Sequence, residues 1–378
     1  MADAGKKEIF AKIKDRYRHA GRIGKTRILD EFCAVYGYHR KHALRMLNSD
    51  GRTKKKKPGR PGKYGPAEIR VLEDIWLNSN RPCSARLAGM ICLWLPHYEK
   101  RNGYLDESVR NKLLTIRPRT LDRLMQTVRK KHGTRGLSGT RPGSYLKQSI
   151  QIKIDHSDIS EPGHMQADTV AHCGDSMEGD FVWSLTFTDV FSGWTENGAV
   201  WNKGQYNVHQ LLKDMEMRLP FRMFSFHTDN GGEFVNHHLY SYFRERESPV
   251  RITRGRPGRS NDNAHVEQKN NTHVRQLLGY SRLNDSSLVK EINELYKASN
   301  LLNNFFCANR KLISKERRGA RYYKKYDEPA TPCQRLLRSD ALTEPQKIYL
   351  TEMMLNLDPY KLSSMIDAKQ RRILRSVR

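Results

Sequence analysis

The order of sequence patterns between residues 164 and 278 is the feature that most restricts which folds this chain can adopt. Three β-rich stretches come first, separated by the turn-forming pairs Gly174-Asp175 and Ser192-Gly193. Helical spacing then alternates with two shorter β-rich stretches. We predict strands at 164–173, 181–190, 194–201, 223–229 and 250–253, and helices at 206–219, 236–246 and 261–278. Hairpin-linked strands followed by alternating helices and strands predict an α/β domain on a mixed five-stranded sheet.

Three acidic residues occupy distinct settings in this predicted sheet. Asp168 lies in the middle of the first strand, where a lone carboxylate is costly unless a charged group binds it. Asp229 ends the fourth strand, at the edge where open α/β sheets bind ligands, and Glu267 lies in the last helix. Carboxylate oxygens suit Mg²⁺ or Mn²⁺, and such a site can hold two ions about 3.5–4 Å apart. The acids therefore predict a two-metal site for phosphodiester chemistry.

Short motifs surround each acid. They are Gln-Ala-Asp-Thr at 166–169, Phe-Thr-Asp-Val-Phe-Ser-Gly-Trp at 187–194, Thr-Asp-Asn-Gly-Gly-Glu-Phe at 228–234 and Asn-Ala-His-Val-Glu at 263–267. Residues 160–305 thereby resemble the catalytic core of retroviral integrases and the related bacterial DDE transposases. The resemblance implies an RNase H-like fold in which Asp168, Asp229 and Glu267 bind the metals and Asp189 is structural. The chain departs from the family's pattern at Ala264-His265, where Gly is common, but it keeps all three acids.

The net charge of the chain indicates what class of molecule it binds. The 378 residues carry a formal net charge of +27. Cations that neutralise phosphates release condensed counterions, so a nucleic acid is the expected partner, with a nonspecifically basic or ribosomal protein as the alternative. The six cysteines are scattered without a Cys-x-x-Cys pair, which argues against a zinc ribbon or a disulfide framework. No stretch approaches about 18 apolar residues, so we expect no membrane partner and a cytoplasmic, nucleoid-associated location.

Residues 1–50 are predicted to form a helix-turn-helix DNA-binding domain. Apolar residues recur at helical spacing in three segments, and Gly37 is a helix stop before the third. In such domains the helix after the turn enters the major groove. Its expected DNA contacts are Arg40, Lys41 and Arg45. A helical hairpin used for protein contacts is the alternative.

Two segments have the composition of linkers. Residues 51–64 form a basic linker rich in Pro and Gly, and residues 133–158 are rich in Gly, Arg and Ser. The first contains Lys57 and Arg60 around a Gly-Arg-Pro core similar to AT-hook peptides, which lay an Arg into the minor groove. A solvated linker that touches phosphates is the alternative.

Between these linkers, residues 65–132 are predicted to form a second helical DNA-binding domain. Its last helix resembles the recognition helix of a second helix-turn-helix, with Thr120 as the expected N-cap. The expected DNA contacts are Arg119, Thr120 and Arg123. We predict the RNase H-like core at 159–305 and a basic, mostly helical C-terminal region at 306–378. That region has no clear small β-barrel, and its sequence leaves DNA binding and subunit assembly both open.

A set of polar residues near the acids is expected to hold the DNA strand. Four arginines in the stretch before the last predicted helix indicate a loop that grips phosphates. Asn263 should lie one helical turn before Glu267 on the same face. The expected DNA contacts here are Arg254, Arg256, Arg259, Asn263, His265, Lys269 and Arg275.

The sequence as a whole predicts a DNA transposase of a bacterial insertion element. It would bind element ends and use two Mg²⁺ ions, with Mn²⁺ able to substitute, for 3′-end hydrolysis and strand transfer into target DNA. Since two ends must be handled together, we expect a homo-oligomer, a dimer or higher, on double-stranded DNA. The alternatives are a nuclease of the same fold without joining activity and a noncatalytic DNA-binding regulator.

Overall fold

The computed structural model describes residues 2–49, 63–132, 159–228, 234, 237–254 and 263–376. The chain divides into two compact units, Met1–Lys63 and Tyr64–Arg378. The predicted basic linker thus spans their junction, with Lys57 and Arg60 outside the described residues. The predicted linker at 133–158 also lies outside the described residues.

The first unit is a small bundle of the three helices expected from the sequence. They are α1 (Ala2–His19), α2 (Arg22–Tyr36) and α3 (Arg40–Asn48). Their shared core consists of Tyr17, Leu29, Phe32, Ala43 and Leu47. Gly37 ends α2 in the left-handed region, with φ 67°, and donates its N–H to the Cys33 carbonyl. A left-handed residue after the last turn is the usual use of glycine at a helix end, so the predicted helix stop is confirmed.

Four helices open the second unit and share its core with the sheet. They are α4 (Pro66–Asn78), α5 (Ser84–Asn102), α6 (Glu107–Leu114) and α7 (Pro118–His132). The fully buried Trp94 of α5 donates its indole N–H to the Phe306 carbonyl at 3.0 Å and packs against Tyr360. Segment 65–132 therefore has no hydrophobic core separate from that of the sheet. The predicted capping role of Thr120 is wrong, because α7 begins at Pro118 and the Thr120 N–H donates to the Arg117 carbonyl within the first turn.

The sheet has the predicted mixed five-stranded arrangement. Its strands are β1 (His164–Ala171), β2 (Val182–Asp189), β3 (Thr195–Trp201), β4 (Ser225–Thr228) and β5 (Arg251–Arg254), in the order β3-β2-β1-β4-β5. The first three strands pair antiparallel, β4 runs parallel to β1, and β5 runs parallel to β4. Helices α8 (Gln205–Glu216) and α9 (His237–Arg244) make the crossovers that parallel strands require. This order fits an RNase H-like core.

The last predicted helix of the core changes geometry along its length. It runs from Ala264 to Leu278 as α10 (Ala264–Lys269), a π-helical turn (Asn270–Arg275) and α11 (Gln276–Leu278). We call this continuous segment the 264–278 helix. Asn263 is a buried 3₁₀ residue directly before Ala264 and is the N-cap of α10.

A long helix, α12 (Leu288–Phe306), closes the sheet at β3 through three asparagines. The Asn304 amide donates to the Thr195 carbonyl and accepts the Thr195 N–H, both at 2.9 Å. Asn300 and Asn293 make the same pair of bonds to the backbone of Asn197 and of Ala199. Each amide supplies one donor and one acceptor, as a neighbouring strand would, so the edge of β3 has no free backbone groups at these positions.

The C-terminal region departs from the mostly helical prediction. A β-hairpin, β6 (Leu312–Arg318) and β7 (Arg321–Tyr326), precedes α13 (Pro332–Arg338), α14 (Glu344–Asn356) and α15 (Pro359–Arg375). The three helices were expected, but the hairpin was not. Its residues from 314 to 326 are mostly charged or aromatic, so it lacks the apolar–polar alternation that marks a half-buried strand.

Candidate active site

Asp168 is fixed on β1 by one hydrogen bond to each carboxylate oxygen. It is half-buried, with Oδ1 accepting the Thr169 N–H at 2.8 Å. Oδ2 accepts from the Asn270 side-chain amide at 2.7 Å. Both of these donors are neutral groups. A carboxylate held this way can accept a metal ion on its remaining lone pairs.

The 264–278 helix is bound along β1 by three contacts. At its start, the Val266 N–H donates to the Gln166 side chain at 3.3 Å. Asn270 then bonds Asp168, and the Arg275 guanidinium donates to the Ala171 carbonyl at 3.0 Å. These partners advance along β1 as the helix advances, so the helix lies over the second half of the strand. Glu267 is located between the first two contacts and is therefore held next to the Asp168 segment.

The Glu267 carboxylate is partly desolvated. Its residue surface is exposed, but partial burial of the carboxylate raises its pKa above the ordinary value. Desolvation disfavours the charged form of a carboxyl group, and a bound cation restores it. The carboxylates of Asp168 and Glu267 together are a hard-oxygen donor set of the kind that Mg²⁺ and Mn²⁺ prefer.

The π-helical turn begins at Asn270, three residues after Glu267. Such turns are rare, lie mostly inside α-helices and are frequently found at functional sites. Here the first residue of the turn holds Asp168, and its last residue holds the end of β1. Asn270 was not predicted from the sequence as a site residue. Its spacing from Glu267 is the signal that could have assigned it to the site.

Asp229 follows β4 in the sequence and lies outside the described residues, as does the stretch from Asn230 to Glu233. The last residue of β4, Thr228, pairs with Ala167, the neighbour of Asp168. His227 pairs with Gln166 and its Nδ1 is 2.8 Å from the Thr253 hydroxyl on β5. Among the described residues, which leave out Asp229, no group of three His, Cys, Asp or Glu could hold a metal ion. The structure thus brings two of the three predicted acids to one region.

A buried polar chain supports the end of β1 behind the acids. His172 Nε2 is 2.7 Å from the Ser184 hydroxyl, which is 2.6 Å from the Tyr296 hydroxyl on α12. Burial, with a smaller contribution from the positive charge of Arg275, lowers the pKa of His172 to about 3. His172 is therefore neutral at physiological pH, and the chain ties β1, β2 and α12 together. These residues were not identified from the sequence.

Asp189 has the structural role that the resemblance implied. It is fully buried at the end of β2. One carboxylate oxygen accepts the Gly163 N–H at 2.9 Å, and the other accepts the Ser192 N–H at 2.7 Å and its hydroxyl at 2.6 Å. The carboxylate therefore closes the β2–β3 turn and anchors the residue before β1.

The residues predicted to contact DNA near the acids have different surroundings. His265 is exposed, whereas Asn263 is only 6% exposed. Burial, and next the positive charge of Arg86, lowers the pKa of the half-buried Lys269 to about 8. Arg275 bonds the protein's own backbone. The Arg254 side chain, Arg256 and Arg259 lie outside the described residues.

The helical segments present exposed cations where they were predicted. Arg40, Lys41 and Arg45 are exposed on α3, with Arg40 paired to Asp30 and Arg45 Nε donating to the Lys41 carbonyl at 3.3 Å. On α7, Arg119 and Arg123 are exposed and Thr120 is half-buried. Their contacts with DNA stay predictions.

Comparison with known proteins gives a relative and two distant structural likenesses. No protein-family profile matches the chain. The catalytic core domain of BIV integrase is similar with a TM-score of 0.30 and 14% identity, over 46% of this chain and 93% of that one. A chain of the simian T-cell lymphotropic virus intasome, solved in complex with the PP2A regulatory subunit B56 gamma, has a TM-score of 0.29 and 17% identity, over 38% of this chain and 49% of that one. The uncharacterized protein y4rM of Sinorhizobium fredii (strain NBRC 101917 / NGR234) is 37% identical over 338 residues, which are 88% of this chain and 95% of the relative. The chain therefore belongs to the same protein family as y4rM.

Proposed function

We propose that the protein is a DNA transposase of a bacterial insertion element. In this proposal Asp168, Asp229 and Glu267 hold two Mg²⁺ ions, or Mn²⁺ in their place, and the site carries out 3′-end hydrolysis and strand transfer. The observation that carries the proposal is the 2.7 Å bond from Asn270 to Asp168, because it ties the helix of Glu267 to the strand of Asp168. Two carboxylates distant in the sequence thereby share one region.

The metal ions would activate the attacking oxygen and stabilise the leaving oxygen of an in-line displacement. The protein's own groups prepare the site for them. Thr169 and Asn270 orient the Asp168 carboxylate through hydrogen bonds from neutral donors. The desolvated Glu267 carboxylate gains from a cation beside it. Residues that orient a ligating carboxylate are usually important for metal affinity.

Double-stranded DNA, as element ends and as target, is the proposed substrate and partner. The formal net charge of +27 and the exposed cations of α3 and α7 support a polyanion. Hydrolysis and joining of two ends require that both be held together, so we propose a homo-oligomer on DNA, in the cytoplasm and associated with the nucleoid. In the described part of the chain, no helix has the length and apolar character needed to cross a bilayer.

A strand-transfer experiment tests the proposal. The substrates are duplexes ending in candidate terminal repeats taken from the DNA beside the gene, together with supercoiled target DNA and Mg²⁺. We expect joined products from the wild-type protein and none from Asp168→Asn, Asp229→Asn or Glu267→Gln. The matched control is Asp175→Asn, which removes the same charge from an exposed residue beyond the end of β1.

Each alternative predicts a different result. Hydrolysis without joined products indicates a nuclease of the same fold. DNA binding without Mg²⁺-dependent cleavage, unchanged by the three acid substitutions, indicates a noncatalytic regulator and contradicts the enzyme proposal.

A further inference from the structure

The β6–β7 hairpin is a two-stranded ribbon open to solvent on both faces. All of β7 is exposed, and β6 is exposed or half-buried. No other helix or strand in the described chain packs extensively against it. The two-residue turn at Gly319-Ala320 has its positive φ, 62°, at Gly319 alone, which is the pattern of the hairpin turn that suits twisted strands.

The register divides the ribbon into two chemically different faces. Lys315 pairs with Lys324 and Arg317 pairs with Tyr322, so these four side chains share one face. We call this the basic face; it has no acidic residue. The other face, which we call the paired face, contains the salt bridge between Glu316 and Arg318 and also presents Arg321, Tyr323 and Lys325.

The basic face is preorganised by contacts between its own side chains. The Lys315 ammonium lies 4.5 Å from the centre of the Tyr322 ring, and the Arg317 guanidinium lies 6.0 Å from the same centre. Cations stacked on an aromatic ring lose part of their rotamer freedom before any ligand arrives. The face therefore presents two cations held on an exposed tyrosine, with Lys324 beside them and no carboxylate to neutralise them.

An isolated two-stranded hairpin is marginally stable in water, so its base must be held. The Lys311 N–H donates to the Asp327 carboxylate at 2.6 Å, and the Asp327 N–H donates to the Lys311 carbonyl at 3.0 Å. Asn309 forms an antiparallel bridge with Ala330, and Arg335 of α13 bonds both Asp327 and Asn309. The ribbon is thus clamped at its root and extends from there into solvent.

We propose that this ribbon binds in a groove of double-stranded DNA, with the basic face toward the nucleic acid. The major groove of B-DNA is about 12 Å wide and admits a two-stranded β-ribbon. Six residues of β7 at about 3.4 Å each give a reach of about 20 Å, or about six base pairs. Cations then neutralise phosphates on the groove walls, and the exposed aromatic ring supplies apolar contact area. The proposal extends the proposed function and rests on it only for the choice of DNA as partner.

The position of the root separates the ribbon from the acids. The Lys311 ammonium donates to the Phe191 carbonyl at 2.6 Å in the β2–β3 turn. A Cβ added at Gly193 of that turn would lie 2.8 Å from the Asn309 side chain. The turn follows Asp189, which pairs with Met165, about 10 Å along β1 from Asp168. The ribbon is therefore a DNA-binding element that acts away from the reacting phosphodiester, and its residues are not catalytic.

The test compares two triple variants of the full-length protein by fluorescence anisotropy, using a short fluorescein-labelled DNA duplex in EDTA. The basic-face variant is Lys315→Ala, Arg317→Ala and Lys324→Ala. The paired-face variant is Arg318→Ala, Arg321→Ala and Lys325→Ala, which removes the same charge from the same hairpin. Thermal unfolding checks that both variants keep the wild-type fold, as expected for exposed positions.

The salt dependence of binding is the measured quantity. Loss of three phosphate contacts should make the slope of log affinity against log salt shallower by about 2.7. Between about 50 and about 200 mM salt, the wild-type affinity should then fall about 40-fold more than that of the basic-face variant. The paired-face variant should keep the wild-type slope. Equal slopes for all three proteins, or equally reduced slopes for both variants, would overturn the proposal.

Competition distinguishes DNA from RNA as the ligand. Duplex RNA has a deep, narrow major groove that excludes a ribbon, so it should displace the wild-type protein less well than duplex DNA of the same length. Equal displacement by the two would also overturn the proposal. Since EDTA prevents metal-dependent cleavage, these results are independent of whether the protein joins DNA ends.

Discussion

Replacement of Asn300 by leucine tests how the sheet edge is closed. The two side chains are nearly the same size, so Asn300→Leu removes hydrogen bonds without opening a large cavity. Three bonds are lost: those to the Asn197 N–H at 3.2 Å, to the Asn197 carbonyl at 3.1 Å and to the Glu196 carboxylate at 3.0 Å. Asn197 is 2% exposed, so water cannot replace them.

The expected loss of stability follows from the groups left behind. The N–H and the carbonyl of Asn197 lose their partners on the α12 side. A buried polar group without a partner costs about 1–3 kcal/mol, so the two together cost about 2–6 kcal/mol. Glu196 is less affected because the Trp194 indole, Arg218 and Asn304 still donate to it. The loss is a large fraction of the about 5–15 kcal/mol typical of a domain.

Urea unfolding, followed by tryptophan fluorescence and circular dichroism, measures this loss. Asn303→Leu is the matched control, since Asn303 is on the same helix but bonds only side chains, those of Ser299 and Asn80. We expect the control to lose about 1 kcal/mol, and we expect equal m-values for the two variants. If Asn300→Leu and Asn303→Leu unfold at the same urea concentration, the asparagines do not stabilise the edge of β3.

Three further predictions concern the site and its support. Asn270→Leu should lower strand transfer by about 10–100-fold and raise the Mg²⁺ concentration required, because it frees the Asp168 carboxylate, whereas the exposed neighbour Asn271→Leu should change neither. Burial holds the pKa of His172 at about 3, against 6.5 in the unfolded chain, so the unfolded chain binds the proton first as the pH falls. His172 should therefore lower the free energy of unfolding by about 1.4 kcal/mol for each pH unit below 6.5. Urea unfolding of His172→Gln between these pH values should show a slope flatter by that amount. Asp189→Asn should destabilise the fold by about 1–3 kcal/mol, seen as a lower urea midpoint, because an amide cannot accept all three bonds from Gly163 and Ser192.

Most of the sheet could be predicted because its strands are buried on at least one face. β2 is buried along its whole length, so its β-rich composition follows from its environment. The β6–β7 hairpin buries neither face, and its sequence therefore carries no apolar–polar alternation. Segment 65–132 was expected to be a separate domain, but it shares its core with the sheet. Local periodicity shows that a helix has an apolar stripe, but it does not show which part of the chain covers that stripe. The indole of Trp94 finds its partner at Phe306, more than half the chain away.

In the candidate site, too, the energetic cost of placing a side chain decides whether its role could be predicted from the sequence. Asp168 could be singled out in the sequence because a carboxylate in the middle of a strand is costly, and its presence there needs a reason. Glu267 was assigned through the resemblance to the integrase family. The neutral residues that hold them carry no such cost. Asn270, Gln166 and Ser184 are ordinary polar residues until the fold supplies their partners. The burial of Asn263 could not be predicted, because periodicity does not show whether the residue at a helix start is covered by its neighbours.

The two edge strands of the sheet, β3 and β5, differ in how their outer backbone groups are protected. This difference bears on where the proposed DNA substrate can approach. The amides of α12 occupy the backbone groups of β3, so that edge is closed. At the other edge, β5 is a strand of four residues that begins and ends with arginine, Arg251 and Arg254. Short length and charge are the usual protections of an edge strand that is left open. That edge adjoins β4, which leads directly to Asp229, so the cationic edge lies on the side of the sheet from which the third acid is supplied. Under the proposed function, a phosphate backbone approaching over β5 would meet the exposed Arg251 before the carboxylates, which is the order that a site needs if like charges are to share it.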